Sequence, residues 1–214
     1  SSGTTLFFAK NKESHALTWA IIKNRYSWFG IKFNSKQARF YGIPLTKVMY
    51  YSERIKDFIM NRYRFIIFDL SDEVLEKYYK KFCNTKFEFV YGYTNSMVLF
   101  ARYLIKNGKN LKENACPTLR YCIVTSEQCD DYDKALLEKA FGIPVLNEYG
   151  VSESGFIAMT NPDGKWVMSD ETLYAEVLDE FDNPVKDGVE GRLVVSSLFN
   201  KAMPLIRYEV GDIG

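Results

Sequence analysis

The sequence predicts an α/β fold with a central, mainly parallel sheet, flanking helices and a small antiparallel β subdomain. The first observation is the alternation of strand-like and helix-like segments over residues 87–146, which is typical of parallel strands joined by crossover helices. The second is a change of pattern after residues 161–164, where apolar and polar positions begin to alternate. We therefore expect an α/β core over residues 1–164 and an antiparallel subdomain over residues 165–214.

The first helix is predicted over residues 12–29, where apolar residues recur with helical spacing and Gly30 is placed to end it. Residues 38–68 are irregular, apart from a strand or turn over residues 39–44 and a strand over residues 63–68. The basic residues in this region (Arg54, Lys56, Arg62 and Arg64) could form a cationic face. Interspersed acidic residues favour an ordinary solvated surface instead.

A second helix begins after Ser71, a residue suited to an N-cap because its hydroxyl can accept from a free backbone N–H. The remaining predicted helices cover residues 96–106 and 132–141. The predicted strands lie at residues 87–93, 119–124, 145–146, 173–177 and 192–195. Turn residues at 182–184 and 188 separate the last two strands.

Composition and charge exclude several classes of function. The chain has 214 residues, 47% of them hydrophobic, and a net charge of +1, so we expect neither a nucleic-acid nor a membrane partner. Four cysteines without a Cys-x-x-Cys pair, and a single histidine, His15, argue against zinc. They also argue against a Ser-His-Asp mechanism. Without a signal-peptide pattern, we expect a cytoplasmic protein with reduced thiols.

Three predicted strands end in loops that should meet at one edge of the sheet, at residues 91–93, 125–127 and 148–150. In open α/β sheets this edge is where ligands bind. The third loop continues with residues that suit a nucleotide: Tyr149 could cover a flat ring, Ser152 could donate to a phosphate and Glu153 could hold Mg²⁺. The alternative is an ordinary strand-to-loop junction with solvated polar residues.

Two further stretches have the composition of ligand loops. Residues 1–5 combine hydroxyl side chains with a glycine, and such a loop can surround phosphate oxygens. Asp212 follows a strand and a glycine, and a carboxylate there can accept hydrogen bonds from both ribose hydroxyls. The alternatives are a simple polar loop and a turn aspartate.

The three stretches Ser-Ser-Gly-Thr-Thr, Glu-Tyr-Gly-Val-Ser-Glu and Tyr-Glu-Val-Gly-Asp occur in this order along the chain. Together they resemble the three nucleotide motifs of the adenylate-forming enzymes. Within that superfamily the chain is similar to the phenylacetate–CoA ligase and coenzyme F390 synthetase branch, which includes capsule-biosynthesis proteins. The resemblance covers essentially the whole chain.

The resemblance implies a two-step reaction that uses ATP and Mg²⁺. A small carboxylic acid attacks the α-phosphate, and the resulting acyl-adenylate passes its acyl group to a thiol such as coenzyme A, or to an amine or hydroxyl. Carried over to this chain, the catalytic residues are Ser152 and Glu153, with Glu153 binding the metal. The nucleotide-binding residues are Ser1, Ser2, Gly3, Thr4, Thr5, Ser126, Glu127, Glu148, Tyr149, Gly150, Ser152 and Asp212. Tyr91, Tyr93 and Gly150 border the acid pocket, whose aromatic lining favours an aryl acid.

The chain departs from the family pattern in three places. Thr5 is followed directly by Leu6 instead of Gly-x-Pro, Ser152 replaces the commoner threonine, and Glu209 begins a pair that replaces Arg-Thr. An N-terminal region and the C-terminal lid domain, with its catalytic lysine, are expected to be absent. The segment should therefore bind nucleotide but catalyse adenylation poorly. The alternatives are a degenerate binding homologue and an unrelated interaction protein, and the pattern also allows a homodimer.

Overall fold

The computed structural model describes residues 6–44 and 46–214, and it confirms the predicted α/β fold with a mainly parallel sheet and a small antiparallel sheet. The helices are α1 (Lys12–Ser27), α2 (Lys47–Ile59), α3 (Asp72–Cys83), α4 (Thr94–Lys106), α5 (Leu111–Asn114) and α6 (Asp131–Phe141). The strands are β1 (Gln37–Tyr41), β2 (Arg62–Ile66), β3 (Phe89–Tyr93), β4 (Tyr121–Thr125), β5 (Val145–Val151), β6 (Gly155–Thr160), β7 (Trp166–Met168), β8 (Leu173–Leu178), β9 (Arg192–Ser197) and β10 (Tyr208–Ile213).

The larger sheet has the strand order β2-β1-β3-β4-β5-β6-β7, and the smaller one has the order β10-β9-β8. The pairs β1–β2, β1–β3, β3–β4 and β4–β5 are parallel, with Arg39 in register with Arg64 on one side and with Tyr91 on the other. The β6–β7 pair and both pairs of the smaller sheet are antiparallel. The parallel strands β1 to β5 alternate with helices along the chain, as the sequence predicts.

The described chain divides into two compact units. One unit comprises residues 26–148, and the other comprises residues 6–25 with 149–214. The predicted boundary at residue 164 stays a prediction. None of the helices in the described parts of the chain has the length and apolar composition that crossing a bilayer requires.

The core of the unit of residues 26–148 lies on one face of strands β1 to β5, where α3, α4, α5 and α6 contribute buried side chains. Phe40, Phe65 and Phe82 lie at its centre, with the Phe65 and Phe82 ring centroids 5.0 Å apart. Gly92 is required here, because a Cβ at this position would lie 2.3 Å from the Phe40 carbonyl oxygen. Strand alternation places Arg39, Tyr91 and Glu148 on the opposite face of the sheet.

The unit of residues 6–25 and 149–214 has its own apolar cluster beneath the antiparallel strands. Its buried members are Ile157, Ala158, Leu173, Leu193 and Val195, and Tyr149 and Tyr208 pack against them. Strand β6 was not predicted, because its apolar residues do not alternate with polar ones; its positions from Phe156 to Thr160 are all buried.

Helix α2 lies in a region for which the sequence predicts irregular structure. Its buried side is charged: Asp57 is only 3% exposed. Its apolar residues instead face outward, with Phe58 87% exposed. The exposed apolar residues of the helix are Val48, Met49, Tyr51, Ile55, Phe58 and Ile59. Most surface helices pack their apolar side against the core. The apolar side of α2 instead faces outward.

The basic residues of strand β2 are buried and paired, so the predicted solvated surface is wrong for Arg62 and Arg64. The Arg64 guanidinium donates to both oxygens of Asp57 at 2.9 Å and to Glu53 Oε2 at 2.7 Å. Arg62 also donates to Asp57. Burial alone would raise the pKa of Asp57, but hydrogen bonds from the two guanidinium groups hold it below its ordinary value.

Ser71 precedes α3 as predicted, but its side chain makes no capping hydrogen bond. Asp69 Oδ1 instead accepts from the Ser71 backbone N–H at 2.9 Å. The turn before α3 is thus held by the side chain of Asp69, in an Asx-type hydrogen bond, and not by that of Ser71.

Candidate functional site

The described site residues fall into the two units. Ser1, Ser2, Gly3, Thr4 and Thr5 lie outside the described residues, so their predicted role stays a prediction. Tyr91, Tyr93, Ser126, Glu127 and Glu148 belong to the unit of residues 26–148. Tyr149, Gly150, Ser152, Glu153 and Asp212 belong to the other.

Two predicted nucleotide residues from different motifs are in direct contact. Tyr149 lies in β5 and Asp212 in β10, and the Tyr149 hydroxyl donates to Asp212 Oδ2 at 2.6 Å. Burial, followed by this bond to a carboxylate, raises the pKa of Tyr149 above its ordinary value, so the phenol stays protonated and keeps donating. The bond fixes the Tyr149 ring beside the exposed Asp212 carboxylate.

Glu153, the predicted metal ligand, has a tyrosine partner from the same strand as Asp212. The Tyr208 hydroxyl donates to Glu153 Oε1 at 2.8 Å. Lys10 is also close, since the charge of Glu153 raises the pKa of Lys10 while burial, the larger effect, lowers it. Glu153 is thus a half-buried carboxylate with one oxygen already oriented by a hydroxyl.

Gly150 lies near the end of β5, and Ser152 lies in the turn between β5 and β6. A Cβ at Gly150 would lie 2.5 Å from the Gly155 carbonyl oxygen, so only glycine allows the two strands to approach this closely. Ser152 is exposed on this turn, and its hydroxyl is accessible to a ligand. The turn therefore presents Ser152 to solvent beside the partly buried Glu153.

The loop of Ser126 and Glu127 is tied to the start of α4. Glu127 Oε2 accepts from the Asn95 backbone N–H at 2.7 Å, and the Glu127 carbonyl accepts from the Thr94 hydroxyl at 3.1 Å. A carboxylate at a helix N-terminus satisfies a free N–H group and interacts favourably with the helix dipole. Ser126 itself is exposed, with a φ of 68°.

Glu148 points to the sheet face opposite the core. It accepts from the Tyr26 hydroxyl at 2.7 Å and from the Tyr91 hydroxyl at 3.0 Å, so each of its oxygens has a tyrosine partner. Burial raises the pKa of Glu148, and the two hydrogen bonds and the charge of Arg39 act against that change. These contacts show how Glu148 is held, and its predicted contact with nucleotide stays a prediction.

Arg39 lies between two tyrosine rings on the same sheet face. Its Cζ is 4.3 Å from the centroid of the Tyr41 ring and 4.6 Å from that of Tyr91. The Tyr41 ring also packs against Tyr93, with centroids 4.2 Å apart. We call this group the Arg39 cluster; its members are Tyr26, Arg39, Tyr41, Tyr91, Tyr93 and Glu148.

Several residues of these contacts were not predicted as site residues: Lys10, Tyr26, Arg39, Tyr41, Thr94, Asn95 and Tyr208. Tyr208 lies in the same motif as Asp212, and its nearness to Asp212 could have suggested it. Arg39 lies in the predicted strand or turn of residues 39–44, but this pattern does not indicate that Arg39 contacts Tyr91. Lys10 and Tyr26 have no comparable signal, because their contacts join distant parts of the sequence.

The described ranges contain no cluster of three or more His, Cys, Asp or Glu side chains placed to hold a metal ion. A single carboxylate nevertheless fits Mg²⁺ in a nucleotide site, because this ion keeps several waters and takes most other ligands from phosphates. Glu153 is a suitable residue for that role.

The comparisons with known proteins identify relatives among carboxylate ligases. No family model matches the chain. Protein CapK of Staphylococcus aureus is 27% identical over 153 residues, which are 72% of this chain and 32% of CapK. The phenylacetate–coenzyme A ligase of Pseudomonas putida is 34% identical over 101 residues, which are 44% of this chain and 23% of that ligase. The chain thus spans about a third of CapK and less of the ligases.

Solved structures show the same fold at low sequence identity. A 2-hydroxyisobutyryl-CoA ligase in complex with 2-HIB-AMP and CoA has a TM-score of 0.74 and 15% identity, covering 96% of this chain and 45% of that protein. MatB of Rhodopseudomonas palustris has a TM-score of 0.65 and 15% identity, covering 100% of this chain and 44% of MatB. The fold is therefore that of the adenylate-forming CoA ligases.

Proposed function

We propose that this chain, a homologue of CapK and of the phenylacetate–coenzyme A ligases with the fold of the adenylate-forming enzymes, is part of an ATP-dependent ligase that activates a small carboxylic acid. The acid is converted to an acyl-adenylate with release of pyrophosphate. The acyl group then passes to a thiol, for which we propose coenzyme A. An amine or hydroxyl acceptor is the alternative.

The observation that carries this proposal is the hydrogen bond between Tyr149 and Asp212. The two residues come from two of the three stretches that resemble nucleotide motifs, 63 positions apart, and their side chains meet at 2.6 Å. An aromatic ring beside an exposed carboxylate suits a nucleoside, because the ring can stack on the base while the carboxylate accepts from ribose hydroxyls. A chance match of unrelated motifs would not bring these residues together.

The other residues of this unit supply groups for the phosphates. We assign Ser152 as a hydrogen-bond donor to the α-phosphate and Glu153 as the ligand of Mg²⁺, whose charge offsets that of the phosphate oxygens. The Tyr208 hydroxyl orients the Glu153 carboxylate from the side of β10. Positioning and charge neutralisation of this kind supply most of the catalysis in transfers at phosphorus.

A nucleotide-binding homologue without catalytic activity is the second candidate function. It is favoured by one observation, that Leu6 follows Thr5 where the family pattern has Gly-x-Pro. We expect such a homologue to bind ATP without exchanging pyrophosphate. The two candidate functions therefore differ in whether the protein catalyses ATP–pyrophosphate exchange.

The experiment is carboxylate-dependent ATP–pyrophosphate exchange on the full-length protein, with a panel of aryl and aliphatic acids. We expect exchange with at least one acid, and its loss in Glu153→Ala. Glu180→Ala is the matched control, because Glu180 is an exposed glutamate outside the site. ATP binding without exchange would favour the non-catalytic homologue, and absence of both would refute nucleotide binding altogether.

A further inference from the structure

The guanidinium of Arg39 is oriented by aromatic rings but donates no hydrogen bond to any described residue. The Tyr41 and Tyr91 rings cover it at 4.3 and 4.6 Å, and its Nε is buried without an acceptor. A guanidinium that packs against aromatic rings keeps its N–H groups available for hydrogen bonds. Arg39 therefore has a fixed orientation and unused donors, which is the state of an arginine that can receive a ligand.

No carboxylate in the described parts of the chain bonds directly to Arg39. The neighbouring arginines of β2 have acidic partners, since Arg64 bonds Asp57 and Glu53 and Arg62 bonds Asp57. The acid of the Arg39 cluster is Glu148, whose oxygens are occupied by the Tyr26 and Tyr91 hydroxyls. Among the described residues, the positive charge of Arg39 is therefore stabilised by rings and by a carboxylate at a distance, and not by an ion pair.

The position of Arg39 along β1 relates it to the ligand edge of the sheet. Strand β1 ends at Tyr41, so Arg39 lies two residues, or roughly 7 Å, back from the carboxyl edge. Tyr91, in register with Arg39, lies at the same depth on β3. Tyr91 is also predicted to border the acid pocket, so an acid bound beside Tyr91 would lie close to the Arg39 guanidinium.

We propose that Arg39 binds a second anionic group of the acid substrate, so that the enzyme activates a dicarboxylic acid with one carboxylate and recognises it by the other. The planar donors of an arginine match a carboxylate better than they match other anions of that size, because both can bond in pairs. The inference rests on the proposed function and specifies its substrate class. It replaces the aryl acid, which the tyrosines alone suggest, with an acid whose remote end is charged.

The test compares matched acids in the exchange assay, with the full-length protein. The pairs are butyrate with succinate and hexanoate with adipate, and the variants are Arg39→Met, Arg39→Lys and Arg102→Met. The last is the control, since Arg102 is an exposed arginine on α4. We expect a diacid to be the better substrate, and Arg39→Met to lower its kcat/KM by about 10- to 100-fold. The same variant should leave the matched monoacid within a few-fold.

Arg39→Lys keeps the charge without the planar fork, so its loss should be intermediate. An equal loss for monoacids and diacids would overturn the proposal, as would a wild-type preference for monoacids. If no acid supports exchange, the proposed function fails and the Arg39 site is judged by succinate and adipate binding alone, measured by calorimetry. Binding that is lost in Arg39→Met and kept in Arg102→Met would support an anion site, and absence of binding would refute it.

Discussion

Glu148 is a carboxylate whose ionisation is set by two tyrosines and an arginine. Burial raises its pKa, while hydrogen bonds from Tyr26 and Tyr91 and the charge of Arg39 lower it again. Each hydroxyl favours the charged form, because a carboxylate accepts a hydrogen bond more strongly than a carboxylic acid does. The balance among these groups decides whether the sheet face next to Arg39 carries a negative charge.

Replacing Tyr91 by phenylalanine should raise the pKa of Glu148 further. The substitution removes the 3.0 Å hydrogen bond to the charged form and keeps the ring that covers Arg39. We expect an upward shift of the pKa, because the charged carboxylate loses one of its two hydrogen bonds. The measurement is the carboxyl chemical shift of Glu148 during a pH titration by NMR.

Tyr121→Phe is the control for this titration, since Tyr121 packs against Phe29 and lies on the neighbouring strand β4. It should leave the Glu148 titration unchanged. A downward shift of the Glu148 pKa in Tyr91→Phe would show that the Tyr91 hydroxyl favours the protonated carboxyl, and Tyr91 would then not stabilise the Glu148 carboxylate.

Some site residues could be predicted from the sequence and others could not, for a physical reason. Tyr149, Glu153 and Asp212 each belong to a short local pattern, so a motif can predict them. Arg39 and Tyr26 meet Tyr91 and Glu148 only because parallel strands pair in one register, which short-range patterns do not specify. The pairing of Tyr208 with Glu153 likewise depends on the antiparallel strands folding back along the chain.

Helix α2 shows why one element was not predicted. Gly42 and Pro44 precede it and indicate a turn, and its apolar residues do not face the core. In most surface helices the apolar side faces the core. In α2 the apolar side faces outward, and the ion pairs of Asp57 lie on the inner side. The helices α1, α3, α4 and α6 were predicted within a few residues, because α3 and α4 bury ordinary apolar stripes and Gly30 and Gly142 follow α1 and α6.

Removing the Asp57 charge should destabilise the unit of residues 26–148 strongly. Asp57→Asn leaves Arg62 and Arg64 buried with only Glu53 as an acidic partner, and breaking a buried pair by removing one charge costs about 3 kcal/mol. The measurement is urea unfolding at neutral pH. Pairing with the two arginines lowers the pKa of Asp57. The stabilisation that these ion pairs give the folded state is therefore fully present above the ordinary aspartate pKa, and it is lost as the pH falls through the lowered pKa.

An exposed ion pair provides the comparison. Asp72 bonds Lys106 at 2.9 Å with both side chains exposed, so Asp72→Asn should cost less than about 1 kcal/mol. Equal losses in Asp57→Asn and Asp72→Asn would mean that burial of the β2 ion pairs does not matter for stability. Ile55→Ala, on the outward stripe of α2, should change stability by less than about 0.5 kcal/mol.

The whole chain carries its predicted nucleotide residues in a few separate segments. They lie before α1, after β4, in β5 and the turn after it, and in β10, while the segment from α2 to α3 contains none. A ligand that binds the native state stabilises it, and local opening of the segments that contact the ligand is suppressed most. The distribution of protection by nucleotide therefore tests the site assignment without any need for catalysis.

We expect Mg²⁺ and ATP to slow amide hydrogen exchange in peptides that cover residues 145–155 and 207–214 of the full-length protein. Peptides of α2 (Lys47–Ile59) should keep their rates, because this helix contains no predicted nucleotide residue. In Glu153→Ala the protection should fall, whereas Glu180→Ala should retain it. Slowing confined to α2, or absent from both site segments at saturating ATP, would show that the nucleotide binds elsewhere and that Tyr149 and Asp212 meet for structural reasons alone.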